Sequence, residues 1–147
     1  MTLVRVVFDT NVIISPLLGS RNDLVAPGRP FLCLQLALAG AIQPVVSEEI
    51  LQEYEVVLLR AKFAFSRTTV RHFLAEIRTS ATMTEPALDL SPELVTDALD
   101  LPILSTAVAG SADYLVTGNI KHFPTKCRGV SVVTPREFLE AWLATER

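Results

Sequence analysis

The run "VRVVF", residues 4–8, constrains the fold more than any other stretch of the chain. It is nearly continuous in β-branched residues. That composition predicts a central strand covered on both faces, because a strand with one wet face would alternate apolar and polar positions. Further short apolar strands are expected at "IQPVVS", "DYLVT" and "GVSVVT". Pro44 places the first of these at a sheet edge or a strand end, since proline cannot donate to a ladder.

Helical patterns fill the intervals. "FLCLQLALAG" is apolar at helical spacing and is stopped by Gly40. Ser47 caps a helix running to about Arg60, with Glu48 and Glu49 in its first turn. A helix over residues 67–78 places Val70, Phe73, Leu74 and Ile77 at i, i+3, i+4 and i+7. Another covers "LPILSTAVAG" and ends at Gly110. The last opens with "TPRE": Thr134 caps, Pro135 takes the first helical position and Glu137 closes a capping box. "GSRNDLVAPGRP", residues 19–30, reads as a loop long enough to shape access or meet a partner, and "TMTEPALDLSPE" reads as irregular. Strands alternating with helices predict an α/β fold with a mainly parallel central sheet. A chain of 147 residues is expected to form one domain, 1–147.

Half of the residues are hydrophobic, ample for a core. No apolar run approaches the roughly 18 residues needed to span a bilayer. The N-terminus meets an acid at Asp9 and lacks a secretory pattern. These features predict a cytoplasmic protein with no membrane partner. Cys33 and Cys127 are too few and too distant for a disulfide framework or zinc cluster, and are expected to stay reduced and packed. The net charge of −3 leaves no general footprint for nucleic acid, so phosphate contact requires a local basic patch or bound cations.

In parallel sheets, ligands bind beyond the carboxyl ends of the strands. Asp9, Thr10 and Asn11 follow the first strand. Thr117 ends "DYLVT", with Gly118 and Asn119 after it, whereas Asp113 lies at the opposite end and reads as structural. On the helix after Ser47, a wheel of about 100° per residue groups Ile50, Tyr54, Val57 and Leu58 as the apolar stripe. Glu53 falls on its edge, Glu49 is intermediate, and Glu48 and Glu55 point away. A carboxylate beside a core stripe needs a partner; the alternative is a side chain snorkelling at the rim. Asp97 and Asp100 precede the helix of residues 102–109, where helix capping alone accounts for one isolated aspartate.

The combination points further. Asp9, Glu53, Asp100 and Asn119 stand where such a fold can converge them. Three carboxylates packed together raise one another's pKa values, and a divalent cation removes that conflict. All-oxygen ligands suit Mg²⁺ or Mn²⁺ and not zinc. Such an ion orients a water, lowers its pKa and stabilises phosphoryl charge.

Four stretches in order, "VVFDTNVIIS", "EEILQEYEVVL", "DALDLPILSTAVAGSADYLVTGNIKHFP" and "VSVVTPREFLEAW", resemble the PIN-domain family over essentially the whole chain. These are metal-dependent ribonucleases that include toxins of bacterial toxin–antitoxin pairs. The resemblance implies a three-layer α/β/α sandwich and hydrolysis of RNA phosphodiesters with Mg²⁺ or Mn²⁺. Asp9 matches the first acid, Glu53 the helix acid (Glu49 is the alternative) and Asp100 the third. The fourth position, commonly an aspartate in "T-x-D", is Asn119 here. Asn11 and Thr117 match supporting polar positions. By this resemblance Asp9 and Asp100 hold the ion directly or through water. Glu53 orients the attacking water or holds a second ion, and Asn119 hydrogen-bonds a metal-bound water. A homodimer and a cognate antitoxin are likewise implied.

RNA contact has two candidate surfaces. Residues 60–78 carry Arg60, Lys62, Arg67, Arg71 and Arg78 against one acid, Glu76, with Phe63 and Phe65 interleaved. Arg67, Arg71 and Arg78 fall along one strip of their helix. Basic groups grip phosphates and exposed aromatics stack bases; the alternative is an ordinary solvated face over core phenylalanines. Lys121, His122, Lys126 and Arg128 form a second basic group beside Asn119, with His122 a lesser candidate for general base and His72 a surface residue. Two other functions compete. Asn119 favours a weakened PIN domain that binds RNA or protein without cutting. A phosphatase with an aspartate nucleophile is disfavoured, because Asn11 stands where its second aspartate is required.

Overall fold

Successive strand residues point to opposite faces of a sheet, and in β1 (Arg5–Phe8) Val6, Val7 and Phe8 are all buried. Both faces are therefore covered, as the β-branched run predicts. This is seen in a computed structural model that describes residues 3–19 and 28–145. In chain order its elements are β1, α1 (Thr10–Gly19), α2 (Arg29–Leu38), β2 (Gln43–Val46), α3 (Glu48–Leu58), α4 (Arg67–Ser80) and β3 (Thr82–Met83). There follow α5 (Leu101–Ala109), β4 (Tyr114–Val116), β5 (Lys126–Cys127), β6 (Val130–Val133) and α6 (Pro135–Thr145). Short 3-10 turns occupy Ala61–Phe63, Pro92–Leu94, Ala98–Asp100 and Ile120–His122.

The sheet runs β3-β2-β1-β4-β6-β5, parallel except for β5. Helix α5 packs on β1, β2 and β4, α6 on β4 and β6, and α4 on β2. The expected three-layer α/β/α sandwich results. From β1 the chain winds one way to β2 and β3, then returns to β4 on the other side. The gap beyond β1 and β4 is thus the switch point at which open α/β sheets bind ligands.

The predicted caps form. Ser47 Oγ accepts from Ile50 N at 3.2 Å. Thr134 and Glu137 exchange both bonds of the capping box, at 2.9 and 3.1 Å. Asp113 is structural as expected, its Oδ2 accepting from Arg5 N at 2.9 Å.

Several elements differ from the sequence reading. Strand β2 is not an edge, because β3 lies outside it; the segment expected to be irregular supplies β3 with two residues. Pro44 is tolerated by its place near the strand start. Gln43 N–H donates to Val4 O at 2.8 Å, so the next residue's nitrogen faces the opposite side, where β3 begins to pair only at Val45. The expected loop 19–30 is shorter at both ends, since Gly19 closes α1 and Arg29 opens α2; residues 20–27 lie outside the described residues. Strand β5 pairs with β6 through Arg128 (φ 48) and Gly129 (φ 88), both left-handed as in a type I′ hairpin turn. Among the described residues no helix is long and apolar enough to cross a membrane.

Gly110 ends α5 against the sheet. A Cβ there would stand 2.4 Å from Val45 Cγ1 and 3.2 Å from the Thr106 carbonyl. Gly110→Ala is therefore expected to destabilise by about 1–3 kcal/mol, the usual cost of overpacking a filled interior. A fall in the urea midpoint with unchanged slope would show it; an unchanged midpoint would contradict it.

Candidate active site

Asp9 leaves β1 while still tied to the sheet, its N–H donating to Val116 O at 2.9 Å. Helix α1 begins at the next residue. Its carboxylate is buried and held by three donors. Thr10 N reaches Oδ1 at 2.8 Å, Thr117 Oγ1 reaches Oδ2 at 2.7 Å, and Asn11 Nδ2 stands 3.4 Å from Oδ2. Thr117 is fully buried at the end of β4 and also accepts from Asn119 N at 2.9 Å. Asn11 Oδ1 accepts from Gly118 N at 3.1 Å. The loops after β1 and β4 are thereby fastened together around Asp9.

Glu53 sits half-buried on α3, beside the buried Ile50, Tyr54 and Val57. Its Oε2 takes the hydroxyl of Thr10 at 2.5 Å. Thr10 thus clamps two acids, one through its backbone and one through its side chain, a role the sequence reading did not assign. Nothing in sequence spacing announces a contact between residues 43 apart. Below them the Tyr54 hydroxyl donates to Phe8 O. Glu49 is exposed, as is Glu48, which pairs with Arg78 at 2.8 Å.

Asp100 precedes α5 yet makes no side-chain capping bond, which removes capping as its explanation. Asp97 caps instead, accepting from Leu99 N at 3.0 Å. The carboxylate of Asp100 points to His122, with Oδ2 3.4 Å from Nδ1. That is ion-pair range but outside hydrogen-bond geometry, and Oδ2 is buried without a hydrogen-bond partner. Asp97 and Asp100 bracket one 3-10 turn, in which residues i and i+3 share a face. Asp97 is consequently a fourth acid near the site.

The electrostatics follow from burial. Desolvation raises the pKa of Asp9 against the pull of Thr117, Thr10 and His122. Glu53 is raised by desolvation and by Asp9 and Asp97, and lowered by Thr10 and Arg60. Asp100 is pushed up to about 6 by desolvation, then by Asp9 and Asp97, with His122 opposing. Glu53 and Asp100 therefore each feel the charges of Asp9 and Asp97.

They do not stand as a finished cage. Among the described residues no three His, Cys, Asp or Glu side chains are grouped to hold one ion. Each is drawn to a neighbour instead: Asp9 to Thr117, Glu53 to Thr10, Asp100 to His122. The donor chemistry still fits a hard divalent cation. It is all oxygen, desolvated and mutually repelling, and it includes one buried oxygen without a hydrogen-bond partner. The Asn119 side chain is exposed, and only its backbone engages the cluster.

The basic residues divide. Arg78 is committed to Glu48 and Arg128 to Asp89, at 3.0 Å. Arg71 lines a groove between α3 and α4 with Glu48 and Glu55. The strip of Arg67, Arg71 and Arg78 is thus partly neutralised by α3. Arg60, Lys62, Arg67 and Lys121 are exposed, and His122 stands at Asp100. Cys33 is buried and Cys127 half-buried, both as free thiols.

Comparison with known proteins joins this geometry to a family. The sequence matches the PIN-domain family over residues 5–121. This chain belongs to the PIN-domain family. PIN domains are generally nucleases that use divalent metals, and the family match spans Asp9, Glu53, Asp100, Thr117 and Asn119. Among solved structures, one chain of the crystal structure of VapBC2 from Rickettsia felis bound to a DNA fragment from their promoter shares the fold of this PIN-domain protein. The TM-score is 0.58 at 19% identity, covering 88% of this chain and 98% of that one. No curated protein matches the sequence.

Proposed function

We propose that this PIN-domain protein is a Mg²⁺- or Mn²⁺-dependent endoribonuclease hydrolysing RNA phosphodiesters. The observation that carries the proposal is the set of desolvated acids at the switch point, Asp9, Glu53 and Asp100, each with a raised pKa. Asp9 and Asp100, with Glu53, would hold the ion. When bound, the ion lowers the pKa of a water and offsets charge on the phosphoryl group. Thr117 and Thr10 keep Asp9 and Glu53 oriented, and Asn11 fixes the loop that carries Asn119. Glu53, at the rim of the cluster, would orient the attacking water and accept its proton. Arg60, Lys62, Arg67, Arg71, Lys121 and His122 are the proposed phosphate contacts, with Arg60 and His122 nearest the acids. The whole chain, 1–147, would act as one cytoplasmic domain. Similarity to a chain of a VapBC complex supports a toxin's role with a cognate antitoxin, and a homodimeric state is proposed from the family resemblance alone. Co-purification with the product of a neighbouring gene tests the partner.

The test of the activity is cleavage of a labelled RNA in Mn²⁺ by wild type and Asp100→Asn. Cleavage by the wild type and its loss in the variant support the reading, and equal cleavage by both contradicts it. A second reading, a PIN domain that binds RNA without cutting, is favoured by the amide at Asn119, which supplies no charge to the ion. Asn119→Asp is expected to tighten Mg²⁺ binding measured by calorimetry. An unchanged affinity would assign Asn119 to the turn alone.

A further inference from the structure

Beyond the acids, Arg60, Lys62, Phe63 and Phe65 form a cationic and aromatic step after α3. Arg60 follows α3, is exposed, and its charge acts on Glu53. Phe63 N–H donates to Arg60 O at 3.0 Å. This closes a 3-10 turn, in which residues i and i+3 share a face about 6 Å apart along the axis. Phe63 therefore stands one turn beyond Arg60 on the same side. Its ring stacks on Phe65, with centroids 6.0 Å apart and planes at 22°. Lys62 Nζ lies 5.1 Å from the Phe63 centroid. Phe65 packs against the core, whereas Phe63 is half-buried and outside it. Between the rings, Ala64 holds a left-handed φ of 54, a conformation that disfavours a residue with a Cβ and persists where its surroundings hold it.

Phe63 is not among the residues of the buried core or those packed on it. It is instead presented beside exposed cations, and among the described residues neither Arg60 nor Arg67 is in an ion pair. An aromatic ring flanked by exposed cations suits an unpaired base carried on a phosphate backbone.

We propose that Arg60, Lys62 and Phe63 form a subsite for one unpaired nucleotide of an RNA strand. The base stacks on Phe63, which Phe65 backs. Lys62 leaves the ring for a flanking phosphate, and Arg60 takes the phosphate on the side of Glu53. The inference rests on the ribonuclease reading and deepens it: the substrate is single-stranded here, because a paired base has its faces covered by its neighbours.

The experiment measures binding of a fluorescent single-stranded RNA octamer and of an RNA duplex by anisotropy, in chelator so that no cleavage occurs. Phe63→Leu keeps an apolar side chain but removes the stacking face, and Phe63→Tyr keeps the face. The single strand is expected to bind Phe63→Leu about 10-fold more weakly, within the range measured for one base–aromatic stack. Phe63→Tyr should bind like wild type, and the duplex should not distinguish the three. Equal single-strand binding by Phe63→Leu and wild type would overturn the subsite, as would an equal loss on duplex. Wild-type cleavage in Mn²⁺, assayed in parallel, separates failure of the subsite from failure of the ribonuclease reading.

Discussion

Asp9→Asn is expected to lower RNA cleavage at least about 100-fold while leaving the protein as stable as wild type or more so. In metal sites generally, losing even a partner of a ligand costs about 10–100-fold, and Asp9 is proposed as a ligand itself. Asp9 has a raised pKa, so its ionised form is held in the fold at a cost. An acid raised on folding destabilises progressively as pH climbs from the unfolded value, and the penalty is complete above the folded one. The amide escapes that penalty and keeps an acceptor for Thr10 N. The variant's advantage in urea should therefore be largest at neutral pH and should close below 3.8, the ordinary aspartate value. Lost cleavage accompanied by lost stability would instead make Asp9 a structural residue.

Phe138→Ala is expected to cost about 3–5 kcal/mol, the range for emptying a large aromatic site. Phe138 is fully buried on α6 and meets Tyr114 of β4 edge to face, with centroids 5.5 Å apart and planes at 74°. Small domains hold only about 5–15 kcal/mol in total, so the variant should unfold at far lower urea. The strand it unseats, β4, carries Thr117 at its end. Cleavage should nevertheless fall only with the folded fraction, because α6 packs on α2, β4 and β6, none of which carries one of the acids. A variant fully folded by circular dichroism but inactive would contradict that separation.

The sequence reveals the parts whose cause is local. The β-branched run of β1 announces a strand covered on both faces, and "TPRE" announces α6 through a capping box that needs only four residues. The half-buried place of Glu53 on the edge of a helical stripe is legible because it is a matter of angle. Long-range facts leave no such mark. Thr10 matters because α1 and α3 cross, and no spacing encodes that crossing. Strand β5 is two residues long and hides behind Arg128, where a type I′ turn usually carries Asn or Asp. Helix α1 is obscured by Val12, Ile13, Ile14 and Pro16, which read equally well as strand and breaker. At Asp100 capping is the default that the sequence offers for an isolated aspartate, and only the 3-10 turn, capped by Asp97, removes it.

The central claim is that Asp9, Glu53 and Asp100 cut RNA with the help of a divalent ion. Its most direct measurement follows one labelled RNA through three additions to the wild-type protein: Mn²⁺, then excess chelator, then Mn²⁺ again. Cleavage that appears, stops and returns is the predicted result. Cleavage that continues in chelator, or never appears in either Mn²⁺ or Mg²⁺, would contradict it.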